Sequence, residues 1–196
     1  MTMKQVGFYY DQTRCAGCKT CQVACKDKNR LEVGTVLREV RTYQVGAFPS
    51  VKMYHFAATC NHCQVPACKD VCPVGAITKS EDDGTVVIDH EACIGCSSCV
   101  NACPYGVPRI DEKSGLSYKC DGCIELRAQG YQPACVEACP YRALAFGEVE
   151  ELKERFGSGV ELVTELPAMG EGKTGPNTLI NPRAVAVEGL GVPIML

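Results

Sequence analysis

The sequence predicts an α+β fold of small cysteine-centred modules, with short β-hairpins and an extended C-terminal tail. Three observations predict it. Sixteen cysteines in 196 residues fall into four groups of four. Short strand-like runs separate the groups. From Gly157 onward the chain has no cysteine and many glycines and prolines.

The groups are Cys15, Cys18, Cys21, Cys25; Cys60, Cys63, Cys68, Cys72; Cys93, Cys96, Cys99, Cys103; and Cys120, Cys123, Cys135, Cys139. The first and third read C-x2-C-x2-C-x3-C, the second C-x2-C-x4-C-x3-C and the fourth C-x2-C-x11-C-x3-C. Pro73, Pro104 and Pro140 follow the last cysteine of three groups, and Lys26 takes that place in the first. This is an internal repeat, and a repeat constrains the fold more than any single motif.

Between the groups, Val6 to Tyr10 reads as a strand. Leu37 to Val45 and Val51 to Ala58 read as a hairpin turning at Gly46 to Ser50. Thr85 to Asp89 is a β-branched strand after the turn Asp82-Asp83-Gly84. A short helical turn is expected after each C-x3-C half-motif. Glu148 to Phe156 is an amphipathic helix, and the segment beyond it is expected to have little structure of its own.

The cysteine spacing carries the chemistry. A [4Fe–4S] cube needs four thiolates, and a C-x2-C-x2-C loop supplies three to one cube. A fourth cysteine three residues on, followed by proline, reaches a neighbouring cube, as in two-cluster ferredoxins. Zinc sites use cysteine pairs and have no use for a three-cysteine run; only the fourth group alone passes as a zinc ribbon. A disulfide scaffold would need an export signal and would not repeat this pattern. No cysteine is left over as a nucleophile.

Composition narrows the partners. The net charge is −3, and no Lys/Arg run suggests nucleic acid or an anionic membrane surface. Met1 to Tyr10 does not read as an export signal and lacks a twin-arginine pair. Gly189 to Leu196 is too short to span a bilayer. No phosphate loop, paired catalytic carboxylates or Ser/His/Asp set stands out, so no catalytic residue is assigned.

Across residues 5 to 150 the sequence resembles the iron–sulfur subunits of the dimethyl sulfoxide reductase family. The order of the four groups carries this, with Arg14-Cys15-Ala16-Gly17-Cys18-Lys19-Thr20-Cys21, Cys60-Asn61-His62-Cys63, Cys103-Pro104-Tyr105-Gly106, Lys119-Cys120-Asp121-Gly122-Cys123 and Cys139-Pro140. The resemblance implies two interleaved ferredoxin-like modules of the bacterial two-cluster type. Residues 1–50 and 104–150 form one, 51–103 form the inserted second, and 151–196 form a helix and partner-binding tail. It implies four [4Fe–4S] clusters on Cys15, Cys18, Cys21, Cys139; on Cys25, Cys120, Cys123, Cys135; on Cys60, Cys63, Cys68, Cys103; and on Cys72, Cys93, Cys96, Cys99.

In that family the clusters form a line. The Cys15 cluster lies toward a molybdenum or tungsten pterin catalytic subunit, and the Cys72 cluster toward an integral membrane, quinone-reactive anchor where one is present. The nitrate reductase version has tryptophan where Cys96 stands and carries a three-iron cluster; here the cysteine implies four cubes. The expected function is electron transfer, with catalysis on the partner. The compartment is expected to follow that partner: membrane-associated or extracytoplasmic with a twin-arginine-exported one, cytoplasmic otherwise. A free polyferredoxin shuttle and a redox-inert zinc scaffold are the competing readings.

Among residues beside the ligands, Gly17, Gly95 and Gly122 are expected to turn the loops and aim N–H groups at sulfur. Lys19, Lys26, Lys69 and Lys119 read as solvated, and Tyr10, Tyr105 and Tyr141 as packing. His62 reads as a polar neighbour of a cluster sulfur. His55 and His90 receive no chemistry.

Overall fold

The computed structural model describes residues 4–170 and 172–194. Met1 to Met3, which begin the N-terminal segment read above, lie outside the described residues, as do Glu171 and the final Met195 and Leu196 of the apolar C-terminal stretch.

In chain order the elements are β1 (Val6–Asp11), α1 (Thr20–Lys28), β2 (Glu39–Val45), β3 (Lys52–Ala58), α2 (Ala67–Asp70), β4 (Ile77–Lys79), β5 (Val86–Ile88), α3 (Ser98–Ala102), β6 (Arg109–Ile110), β7 (Ser117–Tyr118), α4 (Ile124–Ala128), α5 (Ala134–Glu137), β8 (Leu144–Glu148), α6 (Val149–Phe156), β9 (Leu179–Asn181), α7 (Ala184–Val187) and β10 (Val192–Ile194). Two three-stranded sheets run in the orders β8-β1-β9 and β10-β2-β3, with two hairpins, β4-β5 and β6-β7. The architecture is a small mixed α/β one, with short sheets around cysteine-bearing loops.

Every residue of β1 is buried because both of its faces are covered. Val6, Phe8 and Tyr10 point into the cysteine-containing core. Tyr9, on the opposite face, packs with Val149, Leu152 and Leu179 and stacks on Phe156 with ring centroids 3.9 Å apart. A strand buried on both faces reads as a continuous apolar run, as this one does. At Gly7 an added Cβ would lie 1.9 Å from the Asn177 carbonyl oxygen, so only glycine lets the C-terminal segment cross here.

The strand pairing ties distant cysteine groups together. β1, just before the first group, runs antiparallel to β8, just after the fourth, with Phe8 opposite Phe146. Helix α1 packs on α5, joining the same two groups. The β4-β5 hairpin lies between the second and third groups, and α2 packs on α3.

The helices differ from expectation. They do not follow the C-x3-C half-motifs but contain them: α1 carries Cys21 and Cys25, while α2, α3 and α5 carry Cys68, Cys99 and Cys135. Four-residue spacing puts both cysteines of each pair on one helical face. Helix α3 stops at Cys103, whose extended backbone precedes Pro104, as the ring of a following proline requires.

The tail also differs from the expected unstructured extension. β9 joins β1 in parallel, β10 joins β2, and Val163 bridges Ile180. Residues 174–177 run along the Cys60–Cys63 loop: the Gln64, Val65 and Asn177 amides donate to Gly175, Thr174 and Asn61 carbonyls at 2.8, 3.0 and 3.0 Å. Glycine and proline kept the tail from building its own hairpins, but its backbone groups are satisfied by edges contributed from elsewhere.

Deleting residues 174–196 should therefore leave the edge of β1 and the Cys60–Cys63 loop unpaired. The shortened protein is expected to retain less iron than the full-length one after anaerobic gel filtration, measured per polypeptide.

Candidate cluster-binding sites

Three cavities are each lined by four cysteines. Cys15, Cys18 and Cys21 share one of about 340 Å³ with Cys139. Cys60, Cys63 and Cys68 share one of about 380 Å³ with Cys103. Cys93, Cys96 and Cys99 share one of about 330 Å³ with Cys72. The remaining four are all buried. They are electrostatic neighbours: Cys25 feels Cys135 and Cys123, and Cys120 feels Cys25 and Cys135.

These volumes are roughly ten times a water molecule's share of the liquid, about 30 Å³. A zinc site would instead draw its sulfurs to about 2.3 Å from one point. Among the described residues, no group of three or more His, Cys, Asp or Glu side chains is arranged to hold a single metal ion. Thiol donors spread around a larger space fit a polynuclear iron–sulfur group.

The four C-x2-C loops share one backbone device. Gly17, Gly95 and Gly122 have φ of 68°, 69° and 68°, in the left-handed region that glycine enters at no steric cost. In the second loop His62 occupies that position with φ 43°. The Gly122 amide lies 3.4 Å from Cys120 Sγ, as expected of these loops.

Residues 51–149 match the family described as 4Fe-4S dicluster domain, and residues 12–33 match one described as 4Fe-4S binding domain. The sequence is 44% identical over 188 residues to the iron–sulfur subunit of anaerobic dimethyl sulfoxide reductase from Escherichia coli, covering 92% of this protein and 90% of that one. Its identity to the corresponding Haemophilus influenzae subunit is 39% over 193 residues, 94% of this protein and 92% of the other. An iron–sulfur subunit of sulfite dehydrogenase from Allochromatium vinosum is 36% identical over 170 residues, 76% of this protein and 71% of that subunit.

This protein belongs to the family of dimethyl sulfoxide reductase iron–sulfur subunits. Like other members it is an electron-transfer subunit of an oxidoreductase complex, carrying [4Fe–4S] clusters and working with a catalytic partner subunit. Among the described residues, no helix is long and apolar enough to cross a membrane.

The thiols of this iron–sulfur subunit differ in exposure. Only Cys18 and Cys96 are exposed. Each sits beside a hydroxyl, Thr20 at 3.3 Å and Ser98 at 3.4 Å, which pulls its pKa below the usual thiol value. Burial pushes Cys21 and Cys63 up to about 11 and Cys25 and Cys68 up to about 12, and raises Cys120 as well. Such thiols keep their protons until a metal displaces them, so cluster insertion releases protons.

Two expectations need correction. Lys119 is not solvated: it is buried, donates to the carbonyls of Val86 and Cys120, and lies 3.6 Å from Cys60 Sγ. His62 cannot supply positive charge. Burial and the nearby cations Lys119, Arg127 and Lys79 hold its pKa well below the ordinary imidazole value, and its Nδ1 accepts from the Val86 amide at 3.0 Å. Lys69 is exposed, whereas Lys26 reaches the carbonyls of Glu32 and Thr35. Tyr10 and Tyr141 line the Cys15 cavity, and Tyr105 lines the Cys60 cavity.

Sequence reasoning missed Arg38 and Thr174. The Thr174 hydroxyl donates to Cys63 Sγ at 3.2 Å and meets the Tyr105 hydroxyl at 2.9 Å, from 111 positions away in sequence. Nothing near either residue in the sequence marked it.

Brief aerobic exposure with an alkylating reagent should label Cys18 and Cys96 first and Cys25, Cys120, Cys123 and Cys135 last. Peptide mass spectrometry over time checks that order.

Proposed function

We propose that the sixteen cysteines hold four [4Fe–4S] clusters and that electrons pass singly along them, between a molybdopterin catalytic subunit and a quinone-reactive membrane anchor or another redox partner. The sets are Cys15, Cys18, Cys21, Cys139; Cys25, Cys120, Cys123, Cys135; Cys60, Cys63, Cys68, Cys103; and Cys72, Cys93, Cys96, Cys99. When bound, the clusters supply one-electron chemistry. The protein's own residues hold them, exclude water from the inner pair and set their electrostatic surroundings.

One observation carries this reading: thiols distant in sequence line common cavities, Cys139 with Cys15, Cys18 and Cys21, and Cys72 with Cys93, Cys96 and Cys99. Two ferredoxin-like modules accommodate that pattern, residues 1–50 with 104–150 and the inserted 51–103. Residues 151–196 complete the sheets and present Leu190 and Val192, both exposed, to a partner.

The two exposed thiols support the direction of the path. Cys18 and Cys96 belong to different sets and mark two exits. Exposed apolar side chains rim both, with Tyr141 on the Cys15 cavity and Val74 and Ile94 on the Cys72 cavity. Apolar side chains exposed beside a redox exit suit a protein partner. The Cys18 exit is assigned to the pterin subunit, where catalysis lies, and the Cys96 exit to the anchor. The compartment is that of the catalytic partner.

Expressed with its genomic neighbours, the protein should co-purify with a pterin-containing subunit, and that complex should reduce its clusters when given the partner's electron donor. A protein that purifies alone and exchanges electrons only with soluble carriers would contradict the proposal.

A further inference from the structure

Arg38 is a buried cation for which the protein supplies no carboxylate counter-ion among the described residues. It precedes β2, is 1% exposed and is among the largest fully buried side chains. Its Nη1 donates to the Ala57 carbonyl at 3.1 Å, and its guanidinium carbon lies 4.6 Å from the centre of the Phe8 ring. Nε and Nη2 are buried with no hydrogen-bond partner.

A guanidinium cannot shed its proton, so burial cannot be relieved by neutralisation. An isolated buried charge is strongly unfavourable unless an opposite charge lies close. The groups that supply opposite charge to Arg38 are the thiols of Cys135, Cys21, Cys120 and Cys25. Three of these four belong to the set Cys25, Cys120, Cys123, Cys135, and all four members of that set are buried. In so dry a site a fixed charge is weakly screened, so it acts strongly on a neighbour that gains an electron. Lys119, the other buried cation in this region, is engaged by two carbonyls and faces Cys60 Sγ instead.

We propose that Arg38 sets the reduction potential of the cluster on Cys25, Cys120, Cys123 and Cys135. Its charge stabilises the reduced form and so holds the second cluster of the path at a higher potential than its buried, anionic surroundings would otherwise allow. The step it favours is a single-electron transfer from an adjacent cluster, which is oxidised as this one is reduced. No bond forms or breaks, and no proton moves. Arg38 acts on the cluster as a positioned charge and ligates nothing. The inference rests on the ligand sets proposed above.

The test is an EPR-monitored redox titration of the anaerobically purified complex containing the full-length subunit, in wild-type, R38M and R38K forms. C25S and C18S complexes identify which signal belongs to which cluster. In R38M the midpoint potential of the Cys25 cluster should fall while the other three stay within error, and R38K should keep it near the wild-type value. An unchanged Cys25-cluster potential in R38M overturns the proposal, as does a shift centred on the Cys15 cluster or an equal fall in both variants.

If R38M loads no iron, R38K decides. Iron-loaded R38K with the wild-type potential supports a charge requirement. R38K that loads no iron, or loads it at a lowered potential, overturns the proposal, because shape and donor geometry would then be what matters. If the wild-type complex itself shows fewer than four clusters, or C25S perturbs the signal that C18S perturbs, the ligand sets fail first. With those controls as expected, only the role of Arg38 is at stake.

Discussion

The convergence of thiols from opposite ends of the sequence is the constraint on which the rest of this structure depends. Cys139 must reach the loop of Cys15, and Cys103 the loop of Cys60. Local helices cannot do this, because the C-x3-C pairs only set two sulfurs on one face. The β1–β8 pairing and the α1–α5 contact bring the first and fourth groups together. Around the second and third groups, the short β4-β5 hairpin and the α2–α3 contact do the same. Much of what would be apolar core in another protein is cysteine here: Cys21, Cys60, Cys120, Cys135 and Cys139 are members of the main buried cluster alongside Phe8, Tyr10 and Phe146.

That arrangement dictates the electrostatics. Anionic groups at the centre of a small fold call for buried positive charge and for donors to sulfur, and both are present. Arg38 and Lys119 are buried cations near thiols. Thr20, Ser98, Ser117 and Thr174 place hydroxyls 3.2–3.4 Å from Cys18, Cys96, Cys99 and Cys63. Hydrogen bonds to cluster sulfurs and local charge are two of the means by which proteins tune iron–sulfur potentials. The inner thiols are shielded while Cys18 and Cys96 reach the surface, a gradient suited to electrons that enter and leave at the ends.

The cofactor class was legible in the sequence because cluster ligation has a rigid local signature. The loop glycines were legible for the same reason, since Gly17, Gly95 and Gly122 each need a left-handed backbone. Strands β1, β2, β3 and β5 and helix α6 were visible through composition and periodicity. Hidden were the features created by long-range pairing. β9 and β10 are three-residue strands whose partners lie more than a hundred positions away. Lys119 is adjacent to a ligand, yet sequence cannot tell a solvated lysine from one folded over a carbonyl. Arg38 lies in an ordinary stretch, and only the fold reveals that its guanidinium is surrounded by thiols.

Iron and acid-labile sulfide per polypeptide, measured together on anaerobically purified complex after correction for iron held by partner subunits, test the central claim most directly. Four cubes require about sixteen of each. A content near twelve iron, or zinc in place of iron and sulfide on the Cys120 group, would contradict the account.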